Sequence, residues 1–318
     1  MNVLASFRYL VSLSEHRHFG RAAEACHITQ PALSNALRAL ESEYGVVIVK
    51  RARQFSGFTA EGEQVLSTAR RMLQEHALLK QELQSQVDQP RGHLRMGAVP
   101  TAIPIATRFA VHLREVFPGI QPVVLALSSQ AIELGLEQLT LDLGLGYMDR
   151  AGRGLQTLHQ FDERYFLLSR QDQSRPKRAG GAVWGRPLAW AEAAKLPLCL
   201  LTPEMHNRSL IDAAFKKAGV APVAVLETNA VSALSVSVLA GQEASLATIL
   251  PGALAATWMQ LPELQIQPLV KPELATPVGW LCQATEQPGR VIQAAWQLAQ
   301  DPLWQKQLAS HSGSLKFV

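Results

Sequence analysis

The sequence predicts a small all-α unit at the N-terminus, one long helix after it, and a larger α/β domain at the C-terminus. Three observations support this order. Residues 2–58 contain short helical patterns, residues 59–88 contain no proline, and β-like runs alternate with helical stretches beyond Gly92. A chain of 318 residues is also long enough for two or three domains.

The composition is ordinary for a soluble globular protein, and the cysteine pattern favours the cytosol. Apolar residues make up 47% of the chain and charged residues 18%. No apolar run approaches the length of a transmembrane helix, and Arg8 interrupts the apolar start of the chain, so neither a membrane span nor a signal peptide is expected. Cys26, Cys199 and Cys282 are odd in number and far apart, which fits neither a disulfide framework nor a metal site. No cofactor is expected.

The N-terminal unit contains predicted helices and a predicted hairpin. Apolar residues at helical spacing indicate a first helix near the start of the chain. A second helix is expected over about 19–26 and a third over about 30–44, where Gly45 is a good helix terminator. Residues 46–49 and 57–58 have the character of two short strands that form a wing.

The third predicted helix has two contrasting faces. Thr29 is a good N-cap, and Leu33, Leu37 and Leu40 form an apolar back. The opposite face carries Gln30, Pro31, Ser34, Asn35 and Arg38. Such a front suits the major groove of DNA, because Gln, Asn and Arg can read base edges. The alternative is an ordinary amphipathic helix with a solvated face.

Basic residues are concentrated in the N-terminal unit. Residues 1–58 hold seven Lys/Arg against four Asp/Glu, a net charge of +3. The segment 50–54 contributes three of these cations, among them Arg51 and Arg53, and Arg21 is a further phosphate candidate. A basic segment after the third helix favours contact with DNA phosphates or the minor groove over a solvated turn.

Residues 59–90 predict a long helix with a narrow apolar seam. Its seam residues recur at steps of four and three, as in a short coiled coil: Val65, Ala69, Met72, His76, Leu79 and Leu83. The seam fits either a helix packed on its own domain or a helix that pairs two subunits. The segment 88–92 then breaks the pattern with a proline and a glycine, and we place the main domain boundary there.

Beyond this boundary, predicted strands and helices alternate, which indicates an α/β domain with mostly parallel sheets. The strands are expected at 94–99, 121–127, 143–147, 158–161, 198–202, 224–228, 245–250 and 278–282, and helices at 103–116, 130–139, 208–218 and 230–239. About 225 residues is large for one core, so two subdomains are expected.

The N-terminal motif resembles the signature of the LysR-type family of transcription regulators. Residues 18–62 read HFGRAAEACHITQPALSNALRALESEYGVVIVKRARQFSGFTAEG. The similarity includes Gln30-Pro31-Ala32-Leu33-Ser34, and the chain also has the length and domain order of the family. The motif departs from the family pattern at His18, which alters one helix cap, at Asn35, which replaces a common Arg, and at Val49, which replaces the usual Phe of the wing.

The resemblance implies a winged helix-turn-helix domain (1–58), a linker and dimerisation helix (59–90) and an effector-binding domain (91–318). The effector domain is expected to resemble periplasmic binding proteins, with two Rossmann-like subdomains: subdomain I, about 91–165 and 269–318, and subdomain II, about 166–268. The implied partners are an inverted-repeat operator in double-stranded DNA, a second subunit in a homodimer, a dimer-of-dimers tetramer, and RNA polymerase; a membrane is not among them.

The resemblance also implies site residues. The DNA-binding set is Arg21, Thr29, Gln30, Pro31, Ser34, Asn35, Arg38, Arg51 and Arg53, and the dimerisation set is Val65, Ala69, Met72, Leu79 and Leu83. Effectors of such domains lie between the subdomains, where strands give way to helices. The effector-binding candidates are Thr101, Ala102, Ser128, Ser129, Thr202, Arg208, Asn229 and Thr248. Short donors at these positions suit a small anion, although each of them equally fits a helix cap.

Further similarities point to the effector. Residues 225–234 and 247–251 are similar to the cyanate-responsive branch, and residues 201–208 to regulators found beside formate dehydrogenases. Formate, cyanate or another small carboxylate is therefore the expected effector. Residues 15–19 and 26–27 resemble the peroxide-sensing branch, but Cys199 has no resolving cysteine near it in the sequence.

Two other classes of function fit the sequence less well. It lacks the GxSxG, HExxH, P-loop and GxGxxG motifs, so an enzyme is not expected. A solute-binding protein would need export, and it would leave residues 1–62 without a role.

Overall fold

The computed structural model describes residues 2–51, 55–84, 90–150, 152, 154–171, 182–240, 246–285 and 288–311. The chain divides near residue 88 into two compact units. None of the helices in these ranges is both long enough and apolar enough to cross a membrane.

The first unit has the predicted order of helices followed by a hairpin and a long helix. Its helices are α1 (Val3–His16), α2 (Phe19–Ala25), α3 (Gln30–Tyr44) and α4 (Ala60–Gln84). The antiparallel strands β1 (Val49–Arg51) and β2 (Phe55–Phe58) form the wing. The first strand begins at Val49, later than expected, because the backbone N–H groups of Ile48 and Val49 donate to the carboxylate of Glu41.

The core of this unit is the apolar back of three helices. Phe7, Leu10 and Leu13 of α1 pack with the leucines of α3, and all are buried. Ala22 and Ala23 are also buried, so the absence of longer side chains lets α2 approach closely. The hydroxyl of Ser12 donates to the carbonyl of Ala22 at 3.1 Å, which ties α1 to α2.

The second unit is the predicted α/β domain. Its strands are β3 (Gly92–Ala98), β4 (Ile120–Ala126), β5 (Leu143–Tyr147), β6 (Leu155–Arg170), β7 (Val183–Trp184), β8 (Leu188–Ala189), β9 (Leu198–Leu201), β10 (Ala224–Thr228), β11 (Ala247–Pro251), β12 (Leu264–Val270) and β13 (Ala275–Gln283). Its helices are α5 (Ile103–Val116), α6 (Ser129–Glu137), α7 (Trp190–Ala193), α8 (His206–Lys217), α9 (Val231–Ala240), α10 (Gly252–Ala255), α11 (Arg290–Leu298) and α12 (Pro302–His311).

The strands are hydrogen-bonded in the order β10-β9-β11-β6-β13-β5-β3-β4. Strand β3 is parallel to β4 and β5 in subdomain I, and β9 is parallel to β10 and β11 in subdomain II. The central strands β6 and β13 are antiparallel to their neighbours, so the sheet is more mixed than the sequence indicated.

Strand β6 connects the two halves. It pairs with β13 as far as Arg164 and with β11 from Tyr165 onward. The sequence predicted a strand only over 158–161, because Asp162, Glu163 and Arg164 interrupt the apolar pattern. Separate apolar clusters lie on either side of this point, one around β3 and β5 and two around β9 and β11.

Candidate DNA-binding face and effector site

The exposed face of α3 carries the predicted base-reading residues. Gln30, Pro31, Asn35 and Arg38 are exposed, and Ser34 is half-buried. Leu33, Leu37 and Leu40, on the opposite side of the helix, are fully buried. The helix therefore directs amide, hydroxyl and guanidinium groups outward, while its leucine face packs in the core and fixes the helix in place.

Side chains cap the N-termini of both α2 and α3. The hydroxyl of Thr29 accepts from the backbone N–H of Ala32 at 3.4 Å, as its sequence position predicted. His18 takes the capping role at α2, where its Nδ1 accepts from the N–H groups of Gly20 and Arg21 at 3.1 and 3.3 Å. The imidazole thus replaces the usual hydroxyl, and Arg21 stays exposed.

The wing is held against the end of α3. The Glu41 carboxylate accepts from Ile48 and Val49 at 3.0 and 3.1 Å. A Cβ on Gly62 would lie 2.2 Å from the carbonyl oxygen of Ile48, so this close approach requires glycine. Of the predicted phosphate contacts, Arg53 and the Arg51 side chain lie outside the described residues.

The seam of α4 divides into a buried and an exposed part. Ala69 is fully buried by its own domain, and Val65 is half-buried against the same core. Met72, Leu79 and Leu83 are exposed by 46%, 53% and 79%, which is unusual for apolar side chains that share one face of a helix.

Most of the predicted effector residues lie at strand–helix junctions. Thr101 follows β3, Ser128 and Ser129 follow β4, Thr202 follows β9, and Asn229 follows β10. The parallel pairing places the ends of β3, β4 and β5 along one edge of subdomain I, and those of β9 and β10 along one edge of subdomain II.

The hydroxyl groups at these junctions have different surroundings. Ser128 Oγ accepts from the N–H of Ala131 and caps α6, whereas Ser129 Oγ is buried with no hydrogen-bond partner. Thr202 Oγ1 donates to the carboxylate of Glu204 at 2.6 Å. Asn229 is exposed.

Three of the predicted effector residues have other roles. Ala102 is fully buried in the core of subdomain I. Thr248 lies inside β11, fully buried, and its hydroxyl donates to the carbonyl of Cys199 at 2.8 Å. Arg208 pairs with Asp212 at 2.8 Å and Glu227 at 2.7 Å, so two acids already offset its charge. In the structure, these three residues thus make their contacts within the protein itself.

A buried polar cluster joins the two subdomains. Its centre is Glu163 of β6, whose Oε2 accepts from the hydroxyls of Tyr147 at 3.2 Å and Tyr165 at 3.3 Å. Asn207 Nδ2, near the start of α8, donates to the oxygens of the same two tyrosines at 3.4 and 3.2 Å. Thr101 Oγ1 lies 3.2 Å from the hydroxyl of Tyr147. We call these five residues the Glu163 cluster.

Burial dominates the electrostatics of this cluster. It raises the pKa of Glu163 to about 7, although the hydrogen bonds from Tyr147 and Tyr165 act in the opposite direction. Burial, and then the nearby Glu163 carboxyl, raise the pKa values of both tyrosines. The cluster therefore holds a carboxyl group whose charge changes near neutral pH.

Of the Glu163 cluster, the sequence analysis named only Thr101, as an effector-binding candidate, and it named none of the other four members. A signal was available, because Phe161, Glu163 and Tyr165 alternate along β6 and share its buried face. An acid at a buried position of a strand is rare unless it has partners. The partners come from β5 and α8, which only the fold brings together.

The two cysteines of the effector domain are free and lie apart from each other in the core. Cys199 and Cys282 are both buried, in different apolar clusters. Burial raises the pKa of Cys282 to about 11, which suppresses its thiolate form.

Comparison with known proteins supports the domain order. Residues 4–63 match the family model for the bacterial regulatory helix-turn-helix protein of the LysR family, and residues 88–303 match the LysR substrate binding domain. The hydrogen peroxide-inducible genes activator of Pectobacterium carotovorum is 32% identical over 173 residues, which is 54% of this chain and 57% of the relative. A probable regulator, LrrA, of Synechococcus elongatus is 29% identical over 63% of this chain and 65% of its own length. The chain thus matches between half and two thirds of these relatives.

Solved structures show the same fold. A full-length OxyR variant from Pseudomonas aeruginosa aligns with a TM-score of 0.68 at 23% identity, over 93% of this chain and 97% of that one. CbnR in complex with its target DNA aligns with a TM-score of 0.64 at 18% identity, over 93% and 98%. With both family models matched in the order that the structure shows, the chain belongs to the LysR family of bacterial regulatory helix-turn-helix proteins.

Proposed function

We propose that this chain is a cytoplasmic, sequence-specific DNA-binding transcription regulator. The observation that carries the proposal is the face of α3, where Gln30, Asn35 and Arg38 are exposed opposite a fully buried leucine back. A helix-turn-helix motif consists here of α2 and α3. The second of its two helices, α3, is the one that enters the major groove, where its polar side chains contact base edges. Similarity to a family member solved on its target DNA supports this use of the fold.

The experiment is a gel shift with DNA from upstream of the protein's own transcription unit. Changing Ser34→Ala together with Arg38→Ala should weaken binding to this DNA much more than binding to random DNA, because base contacts carry the specificity. Arg53→Ala should lower affinity for both DNAs and flatten the salt dependence. Equal losses on both DNAs for the double variant would count against base reading.

The regulator is proposed to act as a homodimer, assembled into a dimer of dimers on an inverted repeat. Exposed Met72, Leu79 and Leu83 support pairing through the C-terminal half of α4, because such a row gains stability when a partner covers it. RNA polymerase is the further partner proposed for a regulator of this type.

The effector is proposed to be a small anion, such as formate, cyanate or another small carboxylate, held between the subdomains. Helix α8 begins without a side-chain cap, so its first backbone N–H groups can donate to a ligand. Thr202 and Asn229 lie at the neighbouring strand ends, and the buried hydroxyl of Ser129 has no partner.

A thermal-shift screen with formate, cyanate, acetate and larger carboxylates tests the ligand class. A specific ligand at about 100 times its Kd stabilises the protein by roughly 2.7 kcal/mol. A shift produced only by bulky or uncharged compounds would exclude the small-anion class. Some relatives are named as activators of hydrogen peroxide-inducible genes. Peroxide sensing through a disulfide is not proposed for this chain, because Cys199 and Cys282 are buried in separate clusters.

A further inference from the structure

The cap of α2 determines which nitrogen of the His18 ring carries the hydrogen. Nδ1 accepts from the backbone N–H groups of Gly20 and Arg21 at 3.1 and 3.3 Å, so this nitrogen carries none. The hydrogen of the neutral imidazole is therefore on Nε2, which makes that nitrogen a donor. Because Nδ1 accepts two hydrogen bonds, the ring is polarised and the donor on Nε2 is strengthened.

The Nε2–H group of His18 is available to a partner molecule. His18 is exposed, and its hydrogen bonds in the part of the chain that the structure describes are the two at Nδ1. The N–H groups of Gly20 and Arg21 are occupied by the imidazole and are not themselves available. The donor that this end of α2 presents is therefore a side-chain N–H.

The imidazole of His18 lies beside the first residue of α3. A Cβ on Gly20 would lie 3.1 Å from Cε1 of His18 and 3.6 Å from Oε1 of Gln30, so the ring and the amide adjoin the same point over this glycine. Nε2 is bonded to Cε1, so the free donor lies on the part of the ring near Gln30. Gln30 is exposed as well.

The surroundings of this donor favour a phosphate oxygen as its acceptor. Arg17 and Arg21 are exposed close to His18 in the chain, and cations attract a polyanion. In a helix-turn-helix motif the first helix crosses the DNA backbone, while the start of the second contacts base edges. A donor at the start of α2 and next to Gln30 fits a phosphate beside the base pair that Gln30 reads.

We propose that His18 contacts DNA, and that its Nε2–H donates to the backbone phosphate next to the base pair that Gln30 contacts. The inference rests on the proposed DNA binding and adds to it a neutral phosphate contact, which helps to fix the register of α3 on the duplex. An imidazole can cap α2 and reach the phosphate at once, because it has one nitrogen for each task. The usual hydroxyl is too short for both.

The first test replaces His18 by a shorter cap. His18→Ser keeps a side-chain acceptor for the N–H groups of α2, so thermal stability should be preserved. Affinity for the DNA upstream of its own transcription unit and for random DNA should fall by a similar factor, roughly tenfold, because a phosphate contact carries no sequence information. Fluorescence anisotropy measures both. The control His93→Ser, at an exposed histidine of the effector domain, should bind both DNAs as the native protein does.

The salt dependence of binding separates this neutral contact from a charged one. The slope of log affinity against log salt should be the same for His18→Ser and the native protein, whereas Arg21→Ala should reduce the slope by about one. A reduction by about one in His18→Ser as well would overturn the proposal. It would mean that the bound imidazole is charged, and a protonated Nδ1 cannot accept the cap bonds.

A second test locates the contact with duplexes that carry one uncharged methylphosphonate at successive positions. The native protein should lose affinity at the position beside the base pair of Gln30, and His18→Ser should lose nothing further at that position. Losses that add independently at every position would overturn the proposal.

The outcomes distinguish this inference from the function on which it rests. Equal affinities of His18→Ser and the native protein would overturn the inference alone, and so would a loss confined to the upstream DNA, which would indicate base reading. Failure of the native protein to bind either DNA would refute the proposed function. If His18→Ser does not fold, His18→Asp replaces it, because aspartate caps strongly and repels phosphate. Its affinity for both DNAs should fall by more than roughly tenfold, and an unchanged affinity overturns the proposal.

Discussion

The amide Nδ2 of Asn207 lies 3.4 Å from the hydroxyl of Tyr147, although the two residues are 60 positions apart and belong to different subdomains. Tyr147 is the last residue of β5, and Asn207 is the second residue of α8. The same hydroxyl also meets Thr101 and Glu163, so one phenol oxygen connects a strand end, a turn, the central strand and a helix start.

Removing this hydroxyl should destabilise the effector domain. Tyr147→Phe keeps the aromatic ring but removes the hydrogen-bond partner of Thr101, Glu163 and Asn207. We expect the free energy of unfolding to fall by about 1–3 kcal/mol as a result. The pKa of Glu163 should rise, because its carboxylate loses a donor. Urea unfolding followed by tryptophan fluorescence measures the first effect. Tyr44→Phe, at an exposed phenol, should have neither effect.

The affinity for a small anion should increase as the pH falls. Ionised Glu163 repels an anion between the subdomains, and its pKa of about 7 means that this repulsion disappears below neutral pH. We therefore expect a larger thermal shift with formate at pH 6 than at pH 8. Glu163→Gln should bind equally at both values. If the native protein binds formate with the same affinity at both, the carboxyl does not act on the ligand.

A methyl group at Gly62 should destabilise the N-terminal unit. Its Cβ would lie 2.2 Å from the carbonyl oxygen and 2.9 Å from the carbonyl carbon of Ile48, and backbone must move to relieve this contact. We expect Gly62→Ala to cost about 1–3 kcal/mol and to weaken DNA binding. Circular dichroism during thermal unfolding measures the stability. Gly152→Ala is the control, because its Cβ would meet nothing within 4 Å.

A charge in the exposed seam of α4 should dissociate the dimer. Met72→Glu or Leu83→Glu places a carboxylate where two helices are proposed to pair, and a buried unpaired charge is costly. Light scattering at micromolar concentration should show a monomer for either variant. Ala77→Glu is the matched control, because Ala77 is exposed on the other side of the same helix. A native protein that is already monomeric at this concentration would contradict the dimer.

The sequence predicted those parts of the fold that depend on local pattern. The two faces of α3 follow from leucines at helical spacing, and its limits follow from Thr29 and Gly45, which cap it in the structure. His18 was recognised as a departure at a cap. The sequence did not predict that His18 itself caps α2. An imidazole nitrogen can accept the N–H groups of a helix only when the ring is suitably oriented, and this orientation cannot be read from sequence.

Contacts between residues that are far apart in the sequence could not be predicted from local sequence patterns. Glu163 interrupts an apolar run, which in sequence indicates the end of a strand, whereas in the fold two tyrosines make an acid tolerable there. Arg208 was predicted to bind a ligand, whereas in the structure its guanidinium forms an ion pair with Glu227 of β10. Thr248 was predicted at or near a strand–helix junction, but it lies inside β11, where it is paired with Leu168 of β6 and Cys199 of β9.

The continuity of β6 limits how the effector domain can change shape. A strand twists and bends much more readily than it stretches, so its 16 residues keep a length of about 50 Å whatever the subdomains do. The two halves can rotate about this strand, but they cannot slide apart along it. We therefore expect a signal that passes through this domain to be a change of angle rather than a displacement, and β6 changes its pairing partner from β13 to β11 between Arg164 and Tyr165.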